Sequence, residues 1–94
     1  MFILLVHYKK TLEEVEANLT DHRVYLDKYY ALGKFICSGR RNPRTGGCII
    51  CKAADEKEVK EIIKEDPFLF RGIADYEIIE VIPTKHAPGF ECFI

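Results

Sequence analysis

Phe2-Ile3-Leu4-Leu5-Val6-His7-Tyr8 is an apolar run that continues without a break to Val6. Successive side chains of a strand point to opposite faces, so a strand of this sequence is apolar on both. Such a strand belongs in the interior of a sheet with both faces covered. The rest of the chain, or a second copy of it, has to supply the cover.

Working outward, Thr11 can cap a helix, with Glu13, Glu14 and Glu16 near its positive N-terminal end. Leu12, Val15, Leu19, His22, Leu26 and Tyr29 then recur at intervals of three or four. They form one helical stripe, which Thr20-Asp21 can interrupt and restart and which Gly33 ends. Lys34 to Arg40 reads as a second strand and Gly46 to Ala53 as a third. The hairpin loop between them, Arg41-Asn42-Pro43-Arg44-Thr45, is punctuated by Pro and Gly. Asp55 caps a second helix with the stripe Val59, Ile62 and Ile63. Pro67 stops it, because the residue before a proline is pushed out of the helical region. Tyr76 to Pro83 reads as a fourth strand, with Tyr76, Ile78 and Ile82 on one face and Ile79 and Val81 on the other. Residues 83–94 are left as a C-terminal tail that packs against something or stays loose.

The order β-α-β-β-α-β is the ferredoxin-like arrangement: an α+β domain spanning residues 1–94, one four-stranded antiparallel sheet with both helices on one face. The other face keeps the apolar residues of the first and third strands. With 48% hydrophobic residues in a chain of 94, a homodimer through the sheet faces is the simplest way to cover them.

Composition narrows the function classes. The 14 basic and 15 acidic residues give a net charge of −1, without the basic stripe of a nucleic-acid binder; Arg40, Arg41 and Arg44 decorate one hairpin tip. Phe2 to Val6 lacks a basic leader and a cleavage site and is far too short to cross a bilayer, so the expectation is a cytoplasmic protein without membrane contact. Cys48 and Cys51 share a C-x-x-C spacing, but on a strand they face opposite ways and cannot chelate one metal. Cys37 and Cys92 do not complete a zinc site by spacing, and the four cysteines read as small buried hydrophobes. No phosphate loop, dinucleotide fingerprint or metal triad is present, and no cofactor is expected.

The chemistry-bearing residues follow from topology. The first helix begins and the second helix ends at the same edge of the sheet. His22 lies in the first half of the first helical region and Asp66 at the end of the second, both in register with the apolar stripes. A carboxylate at a helix C-terminus meets the negative end of the dipole, and an adjacent imidazolium offsets that penalty. In return the carboxylate fixes the imidazole tautomer and leaves the other ring nitrogen free to move a proton. The pair is therefore a candidate general acid/base, although a histidine in an apolar stripe is also a common hydrogen-bonded core residue. Ser38, before Gly39, can hydrogen-bond a ligand, but no G-x-S-x-G elbow surrounds it. Arg44 can hold an anionic ligand through a bidentate contact or simply decorate the loop. His7 ends the first strand near the same edge, where an exposed strand end is its plainer reading. His86 falls in the tail, and Tyr25, Tyr29 and Tyr30 read as core and interface.

Several segments taken together resemble one family. They are His22-Arg23-Val24-Tyr25-Leu26, Gly33-Lys34, Ser38-Gly39, Asn42-Pro43-Arg44-Thr45-Gly46-Gly47, Asp66-Pro67-Phe68 and Gly72-Ile73-Ala74-Asp75-Tyr76-Glu77-Ile78. In order and spacing this looks like the YCII-related, or YciI-like, family, over Met1 to about Lys85. The resemblance implies a dimeric α+β barrel and a site built on a His and an Asp, which map onto His22 and Asp66. It also implies a small polar residue near the site, here Ser38. Relatives usually carry Ser-Gly-Pro where this chain has Ser38-Gly39-Arg40, which places a cation near the site. Some members resemble enzymes that eliminate chloride from chlorinated aromatic breakdown products, and the fold is shared with muconolactone isomerases. The expected function is cofactor-free lyase- or isomerase-like proton transfer on a small anionic molecule. The alternative is a small-molecule-binding or interaction module in which the pair is structural.

Overall fold

In the computed structural model, which describes Met1–Ile94, β1 (Phe2–Tyr8) runs inside a sheet of order β2-β3-β1-β4, antiparallel throughout. Its neighbours are β3 (Gly46–Cys51) and β4 (Ala74–Glu80), and β2 (Phe35–Arg40) takes the edge beyond β3. β1 and β3 are thus the two central strands, as their apolar composition requires. This is the ferredoxin-like α+β arrangement.

Register divides the sheet into two faces. Phe2, Leu4 and Val6 stand opposite Cys51, Ile49 and Gly47 of β3 and opposite Glu80, Ile78 and Tyr76 of β4. Phe2, Leu4, Val6, Ile49 and Cys51 join Val15, Tyr25, Tyr29, Val59, Ile62 and Phe68 from the helices in one buried core. Ile3, Leu5 and His7, with Cys48 and Ile50, occupy the opposite, open face. Fully burying one such aliphatic side chain contributes about 1.5–3 kcal/mol, so the covered face carries most of the stabilisation.

Thr11 caps α1 (Leu12–Ala17) by accepting from the Glu14 N–H at 3.3 Å, and Asp55 caps α3 (Glu56–Ile63) by accepting from Glu58 N–H at 2.9 Å. The break in the first helical region falls at Asn18, two residues before the expected Thr20. Asn18 leaves helical geometry at φ −108°, and its side-chain amide donates to the Glu14 carbonyl at 2.9 Å. That bond ends α1 and lets α2 (Leu19–Ala31) start on a new axis. Past α3, the chain does not simply stop at Pro67. Asp66 caps a further turn, α4 (Pro67–Phe70), with Pro67 in its first position. There its missing N–H and fixed φ favour the start of a helix. β4 begins and ends earlier than the expected Tyr76 to Pro83. Ala74 is fully buried opposite Tyr8, and the strand ends where its partner β1 does, at the Phe2–Glu80 pair.

Residues 81–94 contribute nothing to the buried core; Phe90–Phe93 form a single 3-10 turn, and His86 is exposed. Of the four cysteines only Cys51 is buried. Cys48 is half-buried on the open face, Cys37 is exposed on the edge strand, and Cys92 is exposed in the tail. The expectation of four buried thiols is corrected for the last two by their placement at the sheet edge and outside the fold.

Gly46 marks the closest approach within the sheet. A Cβ placed there would lie 1.8 Å from the Val6 carbonyl oxygen, a backbone atom that cannot move aside. Gly46→Ala is expected to lower unfolding free energy by about 2–4 kcal/mol, in the range of severe overpacking. Urea denaturation followed by circular dichroism checks this; a midpoint equal to wild type would contradict it.

Candidate active site

α2 turns His22 towards the break between α3 and α4, and the two elements bring a ring nitrogen to a carboxylate. His22 Nδ1 lies 2.8 Å from Asp66 Oδ1. The Asp66 side chain has no exposed surface, and that of His22 retains 12%. Asp66 Oδ1 also accepts from the Phe68 N–H at 2.9 Å, the capping bond of α4, and Oδ2 accepts from the Tyr76 hydroxyl at 2.6 Å. Three donors on one buried carboxylate satisfy it as an anion. With Asp66 ionised, Nδ1 has to be the protonated nitrogen of a neutral His22. Nε2 has no protein partner.

The position of Asp66 differs from the sequence expectation in a way that matters chemically. It stands at the start of a helical turn rather than at the negative end of α3, so its charge is held by a backbone N–H. The ring of Phe68, two residues on, stacks on His22 at 4.0 Å with an interplanar angle of 2°. Asp66 fixes the edge of the imidazole and Phe68 fixes its plane.

Tyr76 was legible only as a strand residue, yet it closes the site from below. It sits on β4 opposite Val6, on the covered face, and its hydroxyl is 3.4 Å from that of Tyr25. Burial pushes the Tyr76 phenol well above its ordinary value, with the neighbouring Tyr25 and Asp66 adding to the effect. Burial likewise raises Tyr25. For both groups the folded value exceeds the unfolded one of about 10, so the native state keeps protons that the unfolded chain releases above that pH. The stability they contribute is complete below pH 10 or so and is lost as pH climbs towards the folded values. The expected loss reaches about 1.4 kcal/mol per pH unit for each tyrosine. Urea unfolding at about pH 8 and pH 11 tests this: Tyr76→Phe is expected to flatten the alkaline decline, and an unchanged slope would contradict it.

His22 borders a cavity of about 400 Å³ between α2 and the β2–β3 strands. Its apolar walls include Val6, Leu19, Leu26, Ile49 and Phe68, and Gly47 leaves room on the floor beside Val6. Ser38 lines it too, with Oγ 2.6 Å from the Tyr30 hydroxyl. Arg44 reaches it from the hairpin loop and is bound to Glu16, 2.6 Å from Nη2 to Oε1. That contact, with a further one to Tyr8, raises the guanidinium above its ordinary value. Arg40, the cation expected near the site in place of the usual proline, lines the same cavity, and so does Arg23, which the sequence reading did not single out. The alternation of β2 is the available signal for Arg40, since it shares the covered face with Ser38. His7 lies on the opposite, open face of the sheet. There it meets Glu77 through Nε2 and the Arg41 guanidinium through Nδ1, both at 3.1 Å, and it does not line the His22 cavity.

Comparison with known proteins places the fold and the family. Fusaric acid biosynthesis protein 2 of Gibberella fujikuroi is 33% identical over 54 residues, covering 57% of this chain and 52% of that protein. Its counterpart from Gibberella moniliformis gives the same figures, so the match spans about half the length of these relatives. Among solved structures, 5-chloro-2-hydroxyhydroquinone dehydrochlorinase from Burkholderia phenoliruptrix, in complex with 2,5-dihydroxybenzoquinone, superposes with a TM-score of 0.72. The superposition covers 93% of this chain and 96% of that one at 22% identity, which establishes a shared fold. The model of the YCII-related domain matches residues 1–82, and with that match over all four strands and all four helices, the chain belongs to the YCII-related family.

Proposed function

We propose that this chain is a small cofactor-independent enzyme that moves a proton on a small ring compound, with His22 as general acid/base and Asp66 as its positioning partner. The observation that carries the reading is the placement of His22. One nitrogen is bonded to a buried carboxylate, the other has no protein partner, and the ring borders a cavity large enough for a monocyclic ligand. A neutral imidazole protonated at Nδ1 offers Nε2 as a base, and the imidazolium it becomes is stabilised by Asp66. Ser38 and Arg44 contact the ligand from the strand and loop sides. The resemblance in fold to a dehydrochlorinase, whose name describes loss of hydrogen chloride from a hydroxylated ring, supports lyase-type chemistry by analogy.

The test is a screen in D₂O against hydroxylated and chlorinated monocyclic aromatics and unsaturated lactones. Chain-dependent deuterium incorporation or chloride release is expected with at least one class. Binding without exchange or elimination anywhere between about pH 6 and 9, where imidazoles titrate, would instead make the cavity a binding site with a structural pair.

We also propose that a second copy covers the open face. Ile3, Leu5, Cys48 and Ile50 of the two central strands remain only half-buried there, and Ile79 is exposed beside them. Leu5→Glu places a charge at the middle of that face. It is expected to convert a dimer to monomer in size-exclusion chromatography with light scattering; a monomeric wild type would contradict the proposal.

A further inference from the structure

The cavity is unbalanced in charge. Three guanidiniums line it, from Arg23, Arg40 and Arg44, against one carboxylate, Glu16. Glu16 is already bound to Arg44. Asp66 lies behind His22 and does not line the cavity. Arg23 and Arg40 have no carboxylate within ion-pair distance and no hydrogen-bond acceptor, whereas Arg41, Arg44 and Arg71 all have partners. The two unpaired cations come from opposite walls: Arg23 follows His22 on α2, and Arg40 shares the covered face of β2 with Ser38. Apolar residues, Leu26 and Ile49 among them, line the same cavity. A ligand that fits both features has an apolar body and an anionic end.

We propose that Arg40 and Arg23 bind a carboxylate of the substrate and so make this site selective for small carboxylated ring compounds over neutral ones. The proposal rests on the reading of His22 as the working group of the same cavity, and it names the substrate class that reading leaves open. Arg44 is a poorer anion site because Glu16 occupies its guanidinium, so the role falls to residues of the opposite wall and the edge strand. A guanidinium that receives a planar carboxylate does so through two parallel N–H···O bonds, which fixes orientation as well as charge. Because both arginines are exposed, solvent and salt screen the contact and the gain is moderate.

Benzoate and its uncharged counterpart benzamide are the probes, titrated into the 94-residue chain while the His22 ring resonances and the arginine Nε–H resonances are followed by NMR. Benzoate is expected to bind at least about fivefold more tightly than benzamide, to move the Arg40 and Arg23 signals, and to weaken as salt is raised. Arg40→Gln is expected to remove most of that preference, weakening benzoate several-fold more than benzamide; Arg40 is exposed at the sheet edge and its replacement leaves the core intact. Equal affinities with both probes moving His22 would overturn the charge selectivity while leaving the His22 site standing. No response of His22 to either probe would overturn both readings. An unchanged benzoate affinity in both Arg40→Gln and Arg23→Gln would also overturn the proposal.

Discussion

His22→Ala is expected to lower turnover by about a hundred- to ten-thousandfold, the range that a positioned general acid/base contributes. The loss should appear in kcat rather than in ligand affinity, since Nε2 acts on the proton in flight and not on the bound ground state. His22→Ala also removes one of the three donors to buried Asp66, and leaving a buried group short of a partner costs about 1–3 kcal/mol. A fall in activity from that variant alone therefore mixes chemistry with stability. His22→Gln separates them. A glutamine amide can still donate to Asp66 and pack beside Phe68, but it cannot take up a proton at neutral pH. It is expected to keep a near-native unfolding midpoint and to be as inactive as the alanine variant. Full activity in either would remove His22 from the chemistry.

Asp66→Ala is expected to cost about 3 kcal/mol of stability. It deletes the cap of α4, worth about 1 kcal/mol, takes the acceptor from His22 Nδ1, and leaves the part-buried Tyr76 hydroxyl only its 3.4 Å contact to Tyr25. For a protein whose whole stability lies in the usual range of about 5–15 kcal/mol, that is a severe change. Asp66→Asn is expected to cost less, about 1 kcal/mol, because its carbonyl still accepts from the Phe68 N–H and its amide still pairs with the tyrosine oxygen. Turnover should fall in Asp66→Asn all the same, since a neutral amide does not stabilise an imidazolium. Urea unfolding of both variants beside wild type checks the order. A midpoint for Asp66→Ala within error of wild type would show that the carboxylate network holds nothing together.

The strand plan was readable because each strand carried a pattern that only one place in the sheet accepts. β1 is apolar on both faces and sits inside, and β3 follows the same logic; register then assigns Phe2, Leu4 and Val6 to the covered side. The helical turn after Asp66 escaped because Asp-Pro carries two signals. Proline terminates the helix before it, and it also favours the first position of the next one, capped by the aspartate. Tyr76 escaped for a different reason. Alternation places its ring on the covered face, but nothing local says that its hydroxyl ends 2.6 Å from a carboxylate ten residues back. Arg40 and Arg44 stand four apart, and the loop sequence alone cannot tell which is free. Glu16, from a helix nearly thirty residues earlier, decides it by binding Arg44.

The central claim is that His22 carries its proton on Nδ1 towards Asp66 and presents Nε2 to a ligand in the adjoining cavity. The most direct measurement is a ¹⁵N NMR spectrum of the His22 ring, recorded alone and with 2,5-dihydroxybenzoquinone and a panel of small carboxylates. The account predicts a protonated Nδ1, an unprotonated Nε2 in the neutral form, and a ligand-dependent shift centred on Nε2 and lost in His22→Gln. A neutral ring protonated at Nε2, or one whose resonances no member of the panel moves, would contradict it.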